Sequence, residues 1–212
     1  MKVLKKLNIF PVILLLLAFC CGLEICEAQN KLTAQQVAQK AAAVITGAKG
    51  LTANFTMSGN GRSGKGVIKS SGNKFSLSLP DVSIWYNGKS LYTYNGRTSE
   101  TTITTPTGQE LLESNPLLYV KGGSNYNYSF NPVKRTGKYI VDLTPTNKKN
   151  EIKKITFTVN STSFKPERIA VTTSSGVLTL DITNLNTAAQ LSASDFEYPK
   201  SKYPKAEIVD LR

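Results

Sequence analysis

Six stretches of this sequence alternate apolar and polar side chains with a period of two, and no other feature constrains the fold as much. They are Phe55-Thr56-Met57, Phe75-Ser76-Leu77-Ser78-Leu79, Tyr139-Ile140-Val141-Asp142-Leu143, Ile155-Thr156-Phe157-Thr158-Val159, Ile169-Ala170-Val171-Thr172 and Leu178-Thr179-Leu180-Asp181-Ile182. Successive side chains of a strand point to opposite faces, so this pattern buries one face and wets the other. One-sided strands of this kind belong to antiparallel sheets. Turn signals lie between them at Ser71-Gly72-Asn73, Asn87-Gly88, Asn95-Gly96 and Ser174-Ser175-Gly176. Asn87-Gly88, set between Ile84-Trp85-Tyr86 and Leu91-Tyr92-Thr93-Tyr94, predicts a hairpin. The tail is Pro-rich from Phe196 to Pro204, then extended at Ile208-Val209, and is expected along the sheet edge.

Helical signals are few. Thr33-Ala34-Gln35-Gln36 reads as a capping box, with Leu32 and Val37 placed as a hydrophobic staple. Val37, Ala41, Val44 and Ile45 follow as an apolar stripe, and Gly47 is a natural stop. A second capping box, Thr107-Gly108-Gln109-Glu110, opens a short helix carrying Leu111 and Leu112. Asn115-Pro116 ends it, Leu117-Leu118-Tyr119-Val120 is apolar for a connection, and Gly122-Gly123 is a joint. Such a piece is either a lid over an apolar face or a crossover helix that plugs the sheet.

The first residues read as an export signal. Lys2, Lys5 and Lys6 precede an apolar run over 9–21, and Cys26-Glu27-Ala28 offers small residues at a cleavage site. The run is shorter than the roughly 20 residues of a membrane-spanning helix. Residues 1–28 are thus expected to be a signal peptide cleaved near Ala28, with 29–212 as one mature domain outside the cytoplasm. The three cysteines, Cys20, Cys21 and Cys26, leave with the signal, and the sequence has no histidine. A mature chain of this kind has no Ser-His dyad, no cysteine nucleophile, no thiolate or imidazole zinc site and no disulfide. No catalytic residue, metal or cofactor is therefore expected, and no spacing pairs two carboxylates as a glycosidase requires.

The net charge of +12 falls by only one on loss of the signal. Its densest cluster is Lys148, Lys149, Lys153 and Lys154, which is either a solvated hairpin tip or a docking site for an acidic partner. An aromatic-plus-basic nucleic-acid motif is absent from the sequence. Gly59-Asn60-Gly61-Arg62-Ser63-Gly64 matches the dinucleotide pattern G-x-G-x-x-G, but Gly66-Val67-Ile68-Lys69 reads as a strand where that pattern needs a helix, so the glycines predict a hairpin turn. The apolar residues Phe75, Leu77, Leu79, Trp85, Tyr92, Tyr94, Phe130, Phe157, Leu178 and Leu180 are expected on one side of a curved sheet, either as core or partly as a cavity for an apolar ligand.

The order of these segments resembles the periplasmic lipoprotein carrier family LolA. The resemblance is carried by Gly66-Val67-Ile68-Lys69, Lys74-Phe75, Pro80 and the stretch Trp85-Tyr86-Asn87-Gly88-Lys89-Ser90-Leu91-Tyr92-Thr93-Tyr94-Asn95, which is similar to the family's D-G-K-x-L-W-x-Y hairpin. Ile155-Thr156-Phe157, Phe164-Lys165-Pro166-Glu167-Arg168-Ile169 and Ser194-Asp195-Phe196-Glu197-Tyr198-Pro199 continue it.

The resemblance implies an α+β fold: an incomplete, curved antiparallel barrel, or half-barrel, whose N-terminal helix and short lid helix cover a concave apolar face. It implies a monomeric periplasmic chaperone without cofactor. Such a carrier takes acylated lipoproteins from an inner-membrane ABC-type exporter to an outer-membrane receptor or directly to the membrane. A lipid or lipoprotein sensor on the same fold is the alternative. The expected lipid-binding residues are Phe75, Leu77, Trp85, Tyr92, Tyr94, Phe157, Leu178 and Leu180, under a lid of Leu111, Leu112, Leu117 and Leu118. Many members hold the lid with an arginine that follows the strand lysine. Here Ser70 and Ser71 follow Lys69, so the latch is expected to differ.

Overall fold

Two meanders of strands meet in the middle of one 12-stranded sheet. The computed structural model describes residues 31–212; the expected signal peptide and its cysteines lie outside the described residues. The first meander comprises β1 (Leu51–Gly59), β2 (Arg62–Ser71), β3 (Lys74–Ser78), β4 (Val82–Tyr86), β5 (Leu91–Asn95) and β6 (Glu100–Thr104). The second comprises β7 (Tyr126–Phe130), β8 (Lys138–Pro145), β9 (Ile152–Asn160), β10 (Pro166–Thr173) and β11 (Gly176–Asn186). The sheet order is β12-β6-β5-β4-β3-β2-β1-β11-β10-β9-β8-β7, so β1 and β11 join the meanders and the ends do not close. β12 (Glu207–Asp210) adds to β6 in parallel, which puts Ile208-Val209 on the sheet edge as expected. The result is a curved, unclosed half-barrel of the α+β class.

Local chemistry accounts for the turns and helices. Gly59 pairs with Arg62 across Asn60-Gly61, both at positive φ, which is the two-residue turn a twisted hairpin favours. The dinucleotide-like glycines are thus a hairpin tip. Helix α1 (Ala34–Thr46) begins at a complete capping box: the Gln36 amide donates to Thr33 Oγ1 at 3.1 Å, and the Thr33 amide donates to Gln36 Oε1 at 2.8 Å. Its buried stripe is Ala34, Val37, Ala38, Ala41 and Ile45, with Val44 half-buried beside it. Helix α2 (Gly108–Ser114) has the second box, between Thr107 and Glu110.

β6 and β7 are consecutive in the chain, yet they lie toward opposite edges of the sheet. The chain between them must cross its whole width, and α2 with the 3₁₀ turn Pro116–Lys121 makes that crossing. Asn115, itself buried, caps the turn by accepting from the Leu117 amide at 3.2 Å. Leu117, Tyr119 and Val120 join α1 in one core with Leu51, Phe55, Val141, Leu143, Phe157, Ile169 and Leu180. This core fills the concave side of the half formed by β1 and β8–β11.

Candidate binding cavity

Register decides which apolar residues meet. Leu77 pairs with Ile68 and Ile84, and Ile68 pairs with Ala53, so these residues share the concave face. Phe55, Met57, Leu180 and Ile182 lie on the same face through the β1–β11 pairs. Trp85 pairs instead with Ser76, one residue out of phase with Leu77, and Tyr92 and Tyr94 follow Trp85 through β4 and β5. The expectation that Trp85, Tyr92 and Tyr94 share a face with Phe75 and Leu77 is therefore corrected. The bend between Ser78 and Ser83 joins an odd-numbered inward set to an even-numbered one. A one-residue change of phase moves a whole strand's side chains to the other face.

The three displaced aromatic residues form a second core on the convex face. Tyr198 and Tyr203 of the tail lie over Trp85 edge-on, with centroids 5.6 and 5.9 Å away. Tyr92 stacks on Tyr198 at 5.8 Å, and Tyr94 meets Tyr203 at 4.0 Å. Thr101 Oγ1 donates to the Tyr198 hydroxyl at 3.0 Å. Lys69 also points this way: its ammonium donates to Asp195 Oδ1 at 2.7 Å. That hydrogen bond, aided by the Ser192 amide, lowers the Asp195 carboxyl to about 2. Lys69 thus holds the tail, not the lid.

The concave face is covered unevenly. A cavity of ≈ 710 Å³ remains where the tips of β1–β5 approach the end of α2. Its floor is Phe55, Met57, Leu77, Leu79, Ile84 and Leu178, and Pro116 is among its other lining residues. Polar groups collect at its rim, among them Ser63, Asp81, Asn95, Arg97 and Ser114. Arg97 donates to Asp81 Oδ2 through Nε at 2.9 Å and Nη2 at 2.7 Å. Of the eight residues expected to bind lipid, Leu77 and Leu178 line this cavity. Phe157 and Leu180 are at most 2 % exposed in the filled half. Phe75 is buried with its ring 5.6 Å from Tyr86. Met57 and Ile84 also line the cavity; the sequence marks both as strand residues, but Met57 ends a three-residue alternation and Ile84 precedes the bulkier Trp85 and Tyr86, so neither stands out there as a cavity residue. Phe130, also expected inside, is 45 % exposed near the β7 edge.

The lid leucines divide as well. Leu117 is buried and Leu112 packs half-buried on the core, whereas Leu111 and Leu118 are half-buried outside it. Burial pushes the Tyr119 phenol up to about 12, with Glu113, Tyr126 and Glu151 adding to the effect, so the ring stays neutral within the apolar turn. The far end of the segment is fastened at Gly122-Gly123. The Gly123 amide donates to the Tyr128 hydroxyl at 2.8 Å, and that hydroxyl donates to the Gly123 carbonyl at 3.1 Å. Gly122 has φ +55, and a Cβ there would lie 2.3 Å from the Tyr128 hydroxyl oxygen.

Lys148 and Lys149 are exposed in the β8–β9 hairpin, and the exposed Lys153 donates to the Asn150 carbonyl at 2.8 Å. Lys154 is half-buried and points to the opposite face from Lys153. Among the described residues no three His, Cys, Asp or Glu side chains come together as a metal site, and no helix is long and apolar enough to cross a membrane.

The family described as outer membrane lipoprotein carrier protein LolA matches residues 25–175, and the chain belongs to it. Its members are binding or carrier proteins, and membership brings a LolA-like role in binding lipids or lipoproteins. No curated protein matches the sequence. Among solved structures, a conserved protein from Thermus thermophilus has the same fold at 10% identity, with 84% of this chain and 98% of that chain covered and a TM-score of 0.58. A LolA superfamily protein from Nitrosomonas europaea aligns at 14% identity over 79% of this chain and 98% of its own, with a TM-score of 0.41. A putative outer membrane lipoprotein-sorting protein domain from Vibrio parahaemolyticus aligns at 12% identity over 80% and 97%, with a TM-score of 0.44.

Proposed function

We propose that residues 29–212 form a periplasmic chaperone that holds the acyl chains of lipoproteins and carries them from the inner to the outer membrane. The observation that carries this reading is the ≈ 710 Å³ cavity with an apolar floor and polar rim, in a chain of the LolA family. Each methylene moved from water contributes about 0.8 kcal/mol, so one long acyl chain is held by on the order of 10 kcal/mol. Such binding needs no bond chemistry, and release needs only a more favourable acceptor. The acceptors are an outer-membrane receptor or the membrane itself, and the donor is an ABC-type exporter. Lys148 and Lys149 are the candidate docking residues for these partners, through contacts that weaken as salt rises.

The test is native mass spectrometry of the protein purified from its own periplasm, beside a Met57→Glu, Ile84→Glu double variant. An added mass matching an acylated protein, lost in a variant that keeps its β-sheet circular dichroism, supports the carrier. A wild-type protein that stays free of added mass after incubation with detergent-solubilised lipoproteins overturns it.

A further inference from the structure

The β7–β8 loop reads Asn131-Pro132-Val133-Lys134-Arg135-Thr136-Gly137, with an aliphatic residue and two cations at its tip. Hydrogen bonds fix its shape. The Val133 amide donates to Asn131 Oδ1 at 3.0 Å, and the Lys138 amide to the Arg135 carbonyl at 3.1 Å. The Ser161 amide of the β9–β10 loop donates to the Gly137 carbonyl at 2.9 Å, and Asn131 Nδ2 donates to Asp142 Oδ2 at 2.8 Å. This ordered tip leaves Val133 58 % exposed and Phe130, at its root, 45 % exposed. Single exposed apolar residues are ordinary, but these two continue into a row of aromatic rings. Phe130 lies 6.0 Å from Tyr139, and Tyr139 stacks at 6.2 Å on Phe164 of the β9–β10 loop. The Lys40 ammonium of α1 stands 5.1 Å over the Phe164 ring.

The charge beside this row has one sign. Lys40, Lys134 and Arg135 are exposed, and none has an ion-pair partner among the described residues. Lys165 is half-buried and donates to the Leu185 carbonyl. Two acids lie close by, and both are engaged. Glu167 accepts from Lys138, and Asp142 is buried and accepts from Asn131 and Thr156. Three free cations therefore surround Val133 and the aromatic row.

Apolar tips and aromatic rings settle at the depth of lipid head groups, and neighbouring cations are drawn to anionic lipids. A stable protein partner needs about 800 Å² of complementary face, which a single hairpin tip does not offer. The geometry points to this end of the second meander as a docking surface for an anionic lipid bilayer. Val133 and Phe130 enter the head-group region, while Lys134, Arg135 and Lys40 meet the lipid phosphates. None of these residues lines the cavity, and Phe164 precedes the start of β10 whereas the cavity residue Leu178 pairs with Val171 toward its far end. The docking surface therefore stands or falls apart from what the cavity holds.

The experiment floats the exported chain, residues 29–212, with vesicles on a density gradient. The vesicles are phosphatidylcholine alone, or phosphatidylcholine in which one lipid in three is phosphatidylglycerol. The chain is expected to float with the anionic vesicles, to stay behind with the neutral ones, and to be released as added salt shortens the Debye length. Each cation near an anionic surface contributes about fivefold to partitioning. Lys134→Gln with Arg135→Gln is thus expected to weaken flotation at least tenfold. Lys65→Gln with Lys205→Gln, which removes the same charge from two exposed positions on β2 and the tail, is expected to weaken it less than threefold. Val133→Ser, an exposed change, is expected to weaken it about fivefold by removing apolar contact. Absence of flotation on the anionic vesicles, or equal losses in the two charge pairs, overturns the surface. Salt-sensitive binding to poly-glutamate without flotation, lost in the Lys134→Gln, Arg135→Gln variant, also overturns it and assigns the tip to an acidic protein partner.

Discussion

Gly66 faces the core from the middle of β2, where an alternating strand should offer an apolar side chain. A Cβ there would lie 2.4 Å from Phe55 Cζ and 2.5 Å from the Ser78 carbonyl oxygen. The Phe55 ring, 3 % exposed, therefore uses the missing side chain as its own packing space. Overpacking of this kind costs about 1–3 kcal/mol. Gly66→Ala is expected to lower stability by that amount in a urea titration, and an unshifted midpoint would show that the ring moves aside at no cost. Asp195 sets a second residue-scale expectation. Its carboxyl is lowered to about 2 in the fold by Lys69, against about 3.9 in an unfolded chain. A lowered carboxyl stabilises the fold above the unfolded value and loses that contribution as pH falls toward 2. The pair is partly exposed, so its worth is about 1 kcal/mol or less. Asp195→Asn should cost that much at pH 7 and only a small part of it at pH 2, where the folded-state carboxyl is itself half protonated, as measured by denaturant midpoints at both.

The lid shows how an element gains a fastening that its own sequence does not announce. Leu111 to Val120 reads as apolar and Gly122-Gly123 as a joint, but the partner that holds the joint, Tyr128, comes from the next strand. Losing its hydroxyl leaves the Gly123 amide and carbonyl to find water, at a cost of about 1 kcal/mol. Tyr128→Phe is expected to speed amide exchange over 116–123 severalfold while α1 stays protected; unchanged exchange would rule the phenol out as the fastening. The same distinction explains what could be read in advance. Elements follow local rules, so capping boxes, turn dipeptides and alternation located α1, α2, the hairpins and the family resemblance. Faces follow from loop phase. The four residues between Ser78 and Ser83 put Trp85 opposite Leu77, and alternation within either strand carries no information about that step. The cavity was still less legible, because it lies between the end of α2, the start of the 3₁₀ turn and the strand tips, and its lining is drawn from several elements far apart in the sequence.

At the scale of the molecule, one sheet serves two covers. The concave side is half filled by α1 and the 3₁₀ turn and half open, whereas the convex side of β3–β6 is sealed by the tail through Phe196, Tyr198 and Tyr203. Trp85 is the sole tryptophan and lies beneath that seal, 8 % exposed, so it reports on one face only. Had Trp85 lined the cavity, bound lipid would shift its emission. From the convex face it should stay silent: loading with a diacyl lipid is expected to leave the emission maximum unchanged. Truncation after Ser192, which strips off Asp195, Phe196, Tyr198 and Tyr203, is expected to shift it to longer wavelength by exposing the indole to water. Paired fluorescence spectra of the loaded chain and the truncated chain check both halves. A lipid-induced shift in the intact chain would mean that the two faces are coupled through the sheet, so that filling the cavity disturbs the tail that seals the other side.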